Sequence, residues 1–450
     1  MPDLAAPAGH RRRNRFLPAQ WGELMDDDSF RRFWLMRLAS HVAVNALAYA
    51  LLVFTIRQSD SAVATGLLLL TMLVPTALLG AVSGVAVDRL PRGLILFVSN
   101  LLRAVLVFAL IGVKDSLPSI YLVSFGIGVI SQFTAPAEAA VVPHIVPARR
   151  LVAASSFLQL GTLVSQVAGL LILGPVFLKL TNGDALLFVL VGLYVVSAAL
   201  VTLIPQFHFV SAEASGEVTL RAMRREFAEG WLRLNRDPTA FLAVILLVVT
   251  STSVLIIATL LPKFSVNVLG IAPENIVFVL APVGVAVFCG LRSVEFLSAR
   301  LNKLVTISAA YVLMAAALIA LGLVPASASF LQSLDPLGSF SAGPLNDQTA
   351  RILMTVFYGN VYGFSLTLVL TMGRVLINER IPLAMQGRVF AAQGVLTNLV
   401  AIAPVVLASL VADAAGVAPV LVCAGIGALL AAAWSQARSS RIVQPVVSGA

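Results

Sequence analysis

Apolar residues in this chain follow neither the two-residue alternation of a half-buried strand nor the one-sided stripe of a surface helix. They come in long runs separated by short charged segments. The runs fall at about 33–56, 62–86, 94–113, 118–141, 151–178 and 185–206, then 240–262, 275–297, 303–325, 352–377, 387–412 and 415–436. Each is near the roughly 20 residues that cross a bilayer as an α-helix. The pattern predicts an all-α polytopic membrane protein with twelve spans, six on either side of one long charged stretch. It divides the chain into a tail (1–31), a first helical set (32–206), a linker (207–238), a second set (239–437) and a closing tail (438–450).

Inside the linker the period changes. Leu220, Met223, Phe227, Trp231 and Leu234 recur at helical spacing opposite Arg221, Arg224, Arg225 and Glu229, which predicts an amphipathic helix lying on the membrane surface. The segment 325–350 is rich in Ser, Gly and Pro and reads as a flexible outer loop.

Composition agrees with the pattern. The chain has 450 residues, 59% hydrophobic and only 11% charged, with a mean hydropathy of +0.97, which excludes a soluble enzyme of this size. The two cysteines, Cys289 and Cys423, lie inside apolar runs and read as small buried hydrophobes. A net charge of +9 would suggest nucleic acid in a soluble protein; here it reports topology instead. With both termini cytoplasmic, 23 of the 30 basic residues lie inside, five (Arg57, Lys114, Lys179, Lys263, Arg351) lie outside, and Arg103 and Arg374 lie within spans. Only four of the 30 are Lys, and the Ala, Val and Leu content is high, which suggests a bacterial inner membrane.

After the second run stands Gly84-Val85-Ala86-Val87-Asp88-Arg89-Leu90-Pro91-Arg92, a Gly that permits close packing followed by an Asp-Arg pair and another Arg at a membrane edge. The segment resembles the loop signature between helices 2 and 3 of the major facilitator superfamily. That resemblance implies a fold of two pseudo-symmetric six-helix bundles. It also implies that Gly84, Asp88, Arg89 and Arg92 belong to a clasp that breaks and re-forms as the protein switches between inward-open and outward-open states. Further segments are similar to the macrolide and enterobactin exporter branch, of the drug:proton antiporter type. They are Phe30-Arg31-Arg32-Phe33-Trp34-Leu35, Asn100-Leu101-Leu102-Arg103-Ala104, Ala135-Pro136-Ala137-Glu138-Ala139-Ala140-Val141-Val142-Pro143, Glu229-Gly230-Trp231 with Asp237-Pro238, and Glu379-Arg380-Ile381-Pro382 through Gly387-Arg388-Val389-Phe390. Through them Arg103, Glu138 and Arg388 join the expected gating residues. An internal repeat is visible without the family. Ile145 to Arg150 leads into span five as Arg380 to Arg388 leads into span eleven, about 235 positions later. The second copy of the loop signature, Gly290 to Lys303, keeps charges but not spacing.

Such a fold places a substrate cavity between its halves near the midplane, so polar residues in the facing spans are the binding candidates. His41, Asn45 and Tyr49 recur every four residues in span one and share a face. Span four offers Gln132, and span five Gln159 and Gln166, seven apart. The second half offers Thr250 to Ser253, Tyr358, Asn360, Gln393 and Asn398. Any one of these alone also serves as interhelical glue. Arg103, near mid-membrane, requires a partner or water, because an unpaired guanidinium there costs at least ~2.5 kcal/mol. Arg374, nearer a span end, can snorkel. No carboxylate stands in mid-span: Glu138, Glu295 and Glu379 read as lying at cytoplasmic helix ends, leaving His41 or the rim acids Asp88, Glu138 and Glu379 to carry protons.

The resulting expectation is a monomeric secondary transporter that exports amphipathic small molecules of drug, macrolide or siderophore type. Neutral or anionic ones are favoured, with proton coupling and without a cofactor, a metal or nucleic acid. A lipid or lysolipid flippase of the same fold is the alternative. The chain lacks a Gly-x-x-x-x-Gly-Lys-Ser/Thr run for ATP, and no paired carboxylates or metal-ligand cluster in the spans suggest an intramembrane enzyme. No loop is large enough for the signalling domain of a sensor.

Overall fold

The computed structural model describes residues 24–147, 150–181, 183–204, 232, 237–272, 275–300, 303–334 and 346–443, and among them every regular element is helical. The first half of the chain forms α1 (Asp28–Gln58), α2 (Ala62–Arg89), α3 (Arg92–Ile111), α4 (Leu117–Ile145), α5 (Leu151–Gln166), a π-helical segment (Val167–Leu173), α6 (Gly174–Thr181) and α7 (Asp184–Thr202). The second forms α8 (Pro238–Asn267), α9 (Ile276–Arg300), α10 (Lys303–Gly322), α11 (Val324–Leu334), α12 (Asp347–Arg380), α13 (Leu383–Ala415) and α14 (Val417–Val443). Among the described residues eleven stretches are long and apolar enough to cross a membrane, and α9 adds a shorter apolar core, Val279–Val294.

The opening helix of each half is started the same way. Asp27 accepts the N–H groups of Ser29 and Phe30 at 2.8 and 3.1 Å, and Asp237 accepts those of Thr239 and Ala240 at 2.9 and 3.1 Å. Each carboxylate satisfies orphan donors and sits favourably at the positive end of its helix. Pro238 at the first helical position of α8 adds a preset φ.

Apolar residues point both inward and outward, as helices in lipid must. Inside, Leu47, Leu51, Leu110, Leu190 and Tyr194 form one core, and Phe30, Phe33, Met36, Leu96 and Phe157 a second at the other end of the first-half helices. Leu247, Tyr311, Met314, Leu318 and Met372 belong to the core of the second half. Outside, Leu78, Leu122, Phe288 and Leu430 are exposed, which a bilayer tolerates and water does not. The halves meet mainly where α2 lies against α13 and α8.

Four expectations need correction. The fifth span is not one α-helix: it loosens into the π-helical segment before continuing as α6. A Cβ on Gly169 would lie 2.5 Å from the Val42 carbonyl oxygen, so this segment rests its backbone directly on α1, a contact that apolar periodicity does not encode. The segment 325–350, expected as an outer loop, is not all loop, since α11 covers Val324–Leu334 and α12 starts at Asp347 with Asn346 as its cap. Ser and Ala in the stretch from Pro325 to Leu334 are compatible with a short helix once it packs on α12. Cys289 and Cys423 are exposed, not buried, because a membrane helix has an apolar outer face as well as an inner one. Glu138 is the fourth, taken up below. The amphipathic helix at Leu220 to Leu234 falls outside the described residues apart from Leu232, which is helical and exposed.

Candidate functional site

The polar residues of α1, α3 and α4 converge on one cavity. Arg37 and His41, four residues apart, share a face of α1; Arg103 enters from α3; Ser131, Thr134 and Glu138 enter from α4; Leu158 of α5 closes a side. The cavity measures about 260 Å³ and is completed by Val44, Ala135, Ala139 and Val142.

Glu138 is the hub. Its Oε2 accepts from Arg37 Nε at 2.8 Å and lies 3.1 Å from His41 Nε2. Arg37 also donates from Nη1 to the Leu158 carbonyl at 2.9 Å, which ties α5 into the cluster. The expectation of Glu138 as a rim carboxylate therefore needs correction in its burial, since protein and not water surrounds it. It stands seven residues before the end of α4, roughly 10 Å along the helix axis, and is only 6% exposed. A carboxylate this buried persists only when paired, and Arg37 and His41 provide the pairing.

Arg103 is held differently. It is 3% exposed and donates to three hydroxyls: from Nη1 to Ser40 Oγ at 3.1 Å, and from Nη2 to Ser131 Oγ at 3.0 Å and Thr134 Oγ1 at 3.2 Å. Ser131 and Thr134 give their own hydrogens to the Ile127 and Ile130 carbonyls, which leaves lone pairs for the guanidinium. Ser40 donates to Asn100 Oδ1 at 2.8 Å. Among the described residues no carboxylate comes within ion-pair distance of Arg103, and its Nε has no hydrogen-bond partner.

The other binding candidates scatter. Asn45 turns back on its own helix, donating to the His41 carbonyl at 2.8 Å, and Tyr49 is buried in the first core beside Gly174. Gln132 bridges α4 to α2 through Thr76 Oγ1 at 2.9 Å. Gln159 and Gln166 are exposed on α5. In the second half Asn360 donates to the Val356 carbonyl at 2.7 Å, Tyr358 lies edge-on to Phe357, and Gln393 and Asn398 are half-buried on α13. Thr250 and Ser253 bond Tyr311 and Tyr362 at 2.5 and 3.0 Å and act as interhelical ties. Tyr362 also borders an apolar cavity of about 180 Å³ within the second half.

Of the expected gating residues, Arg92 joins the start of α3 to the end of α4, donating to the Ala140 carbonyl at 3.3 Å and lying 2.8 Å from a ring nitrogen of His144. Gly84, Asp88 and Arg89 occupy the last turns of α2, and Arg388 the second turn of α13; the side chains there lie outside the described residues.

A contact that sequence reasoning missed joins the halves at the opposite end of the helices. Asp413, near the end of α13, accepts the N–H groups of Ala62 and Val63 at 2.7 and 3.2 Å and a bond from the Ser61 hydroxyl, and so caps α2 from the other half. Lys263 of α8 donates to the same carboxylate at 2.7 Å. Gly66 lies one turn farther along α2 against Ser409 and Thr259. The only signal in the sequence was one acid, Asp413, following a long apolar run; its partners are some 150 and 350 residues away.

The arrangement of helices is shared with solved transporters. The nucleoside transporter NupG superposes with a TM-score of 0.64 at 12% identity, over 90% of this chain and 98% of that one. An auto inhibited POT family peptide transporter gives 0.66 at 12% identity, over 93% and 98%, and the POT family transporter PepTSo gives 0.66 at 13%, over 92% and 98%. At such identities the likeness establishes the fold alone. No curated protein matches the chain in sequence. The family model for the Major Facilitator Superfamily matches residues 33–404, most of the chain, and with the helical arrangement above this makes the protein a multi-pass membrane transporter belonging to that superfamily.

Proposed function

We propose that this protein is a proton-coupled exporter of amphipathic small molecules of drug or siderophore type. It works as a monomer by alternating access, with twelve spans in two six-helix bundles and both termini cytoplasmic, in a bacterial inner membrane. The observation that carries the reading is the Arg37–Glu138–His41 cluster on the wall of a cavity. Among the described residues that line the cavity, the titratable groups beside Glu138 and His41 are Arg37 on α1 and Arg103 on α3, both cations. A proton arriving at the cluster neutralises the carboxylate or charges the imidazole, and either event weakens the tie between α1 and α4 or strengthens it. A ligand that enters the cavity meets the same groups, which links its binding to the proton's. The Asp413 contact between the halves at the far end supports alternating access, because one end is held shut while the cavity lies toward the other.

The test is export in proteoliposomes under an imposed pH gradient, with His41→Gln and Glu138→Gln beside the unsubstituted protein. Transport by the latter should follow the gradient, and Glu138→Gln should retain binding while losing most of the response. Transport indifferent to the gradient would remove proton coupling and favour facilitated diffusion or lipid flipping. A full response in both variants would remove the cluster from the coupling.

A further inference from the structure

The cavity is electrostatically incomplete. Arg37 is ion-paired with Glu138, whereas Arg103 has hydroxyls as its hydrogen-bond partners and, among the described residues, no carboxylate within ion-pair distance, so one carboxylate of the lining serves two guanidinium groups. His41 apart, the lining carries Arg37, Arg103 and Glu138, a net charge of one positive. An uncompensated cation in a low-dielectric site is costly, and a counter-ion that enters the cavity relieves that cost. Asn100 and Ser40 further hold the site in place: the Asn100 amide is anchored to the Leu96 carbonyl at 2.9 Å and receives the Ser40 hydrogen, so Ser40 offers its lone pairs to Arg103. The remaining wall, Val44, Ala139, Val142 and Leu158, is apolar.

Resting on the transport reading above, and naming the substrate class for that same cavity, we infer that the site selects amphipathic monoanions. The anionic group pairs with Arg103 and the apolar part lies along Val44, Val142 and Leu158. A cationic amphiphile brings a second uncompensated charge beside Arg103 and is disfavoured; a neutral one leaves Arg103 as it was.

The experiment compares 4-phenylbutyrate, 4-phenylbutanol and 4-phenylbutylamine, three probes of one shape and different charge, by thermal unfolding of the purified full chain in detergent. The carboxylate should bind roughly tenfold more tightly than the alcohol, as one charge-assisted contact implies, and the amine most weakly. Arg103→Lys should keep that order and Arg103→Gln should level it. Equal binding of all three to the unsubstituted protein, or preference for the amine, overturns the inference without any variant needing to fold. A carboxylate preference that survives in a folded Arg103→Gln assigns the selectivity elsewhere and likewise overturns it. Displacement of phenylbutyrate by a short-chain phosphatidylglycerol identifies a lipid headgroup as the anion; failure to displace it identifies a soluble carboxylate, and either outcome supports an anion site at Arg103. Because this is a binding measurement, it separates from the transport reading: proton-coupled export of cations would sink the inference alone, and anion binding without gradient-driven transport would sink the reading alone.

Discussion

Gly66 shows how much one absent side chain decides. A Cβ there would lie 2.2 Å from Ser409 Oγ and 3.6 Å from Thr259 Cγ2, so α2 approaches α13 and α8 only because position 66 is empty. Gly192 on α7 has nothing within 4 Å. In a helix interior Ala is favoured over Gly by roughly 0.5–1 kcal/mol, so Gly192→Ala should be neutral or stabilising. Gly66→Ala should instead cost about 1–3 kcal/mol through overpacking. Opposite shifts in the unfolding midpoints of the two variants would bear this out; a stabilised Gly66→Ala would mean that the halves do not meet there. The same scale governs the cavity. His41 and Arg103 were legible in the sequence as polar groups in apolar runs. Glu138 was legible too, but its burial was not, because counting back from a helix end ignores which neighbours cover the side chain.

At the scale of elements, the contact of α2, α8 and α13 around Asp413 is a cap supplied across the molecule. A cap of this kind is worth about 1 kcal/mol, which corresponds to roughly a fivefold change in the balance between closed and open forms of that end. Asp413→Ala should shift that balance toward the open form, and Asp413→Asn, which keeps an acceptor but loses the charge facing Lys263, should shift it less. Labelling of a Thr65→Cys reporter, buried at 2% exposure in this conformation, reads the opening. Cys289 and Cys423 must first be replaced, since both are exposed. Equal labelling rates in all three backgrounds would mean that the contact does not hold the end shut. Repeating apolar runs revealed the helices on either side of this junction; the π-helical segment and α11 stayed hidden, because both are set by packing on α1 and α12 and not by their own periodicity.

For the whole molecule, the excess of basic residues in alternate connections predicts orientation. A reporter at Ser339 should label only from outside the cell and one at Ser215 only from the cytoplasm. Labelling of Ser339 from the cytoplasmic face would invert the topology. The family match over residues 33–404 and the eleven apolar helices among the described residues make a multi-pass transporter of the chain, while sidedness rests on the charge pattern and on this measurement.

The sequence by itself determined the class of molecule. Length and polarity of the runs are one-dimensional properties, and a bilayer reads them directly: it accepts a helix of about 20 apolar residues wherever one occurs. A local signature, Gly84 to Arg92, was enough to point to the family. Tertiary structure alone decided which polar residues share a site. Asn45, Tyr49 and Gln132 have the composition of binding residues but spend their polar groups or their bulk on their own or neighbouring helices, whereas Arg37, counted in the sequence as a topological charge, faces Glu138 from 101 residues away. In a membrane protein both faces of a helix are apolar, so periodicity cannot tell a cavity wall from a lipid-facing one. Only the meeting of α1, α3 and α4 makes Arg103 a buried cation with no carboxylate within ion-pair distance among the described residues, and only the meeting of α13 with α2 turns a lone Asp413 into a tie between the halves.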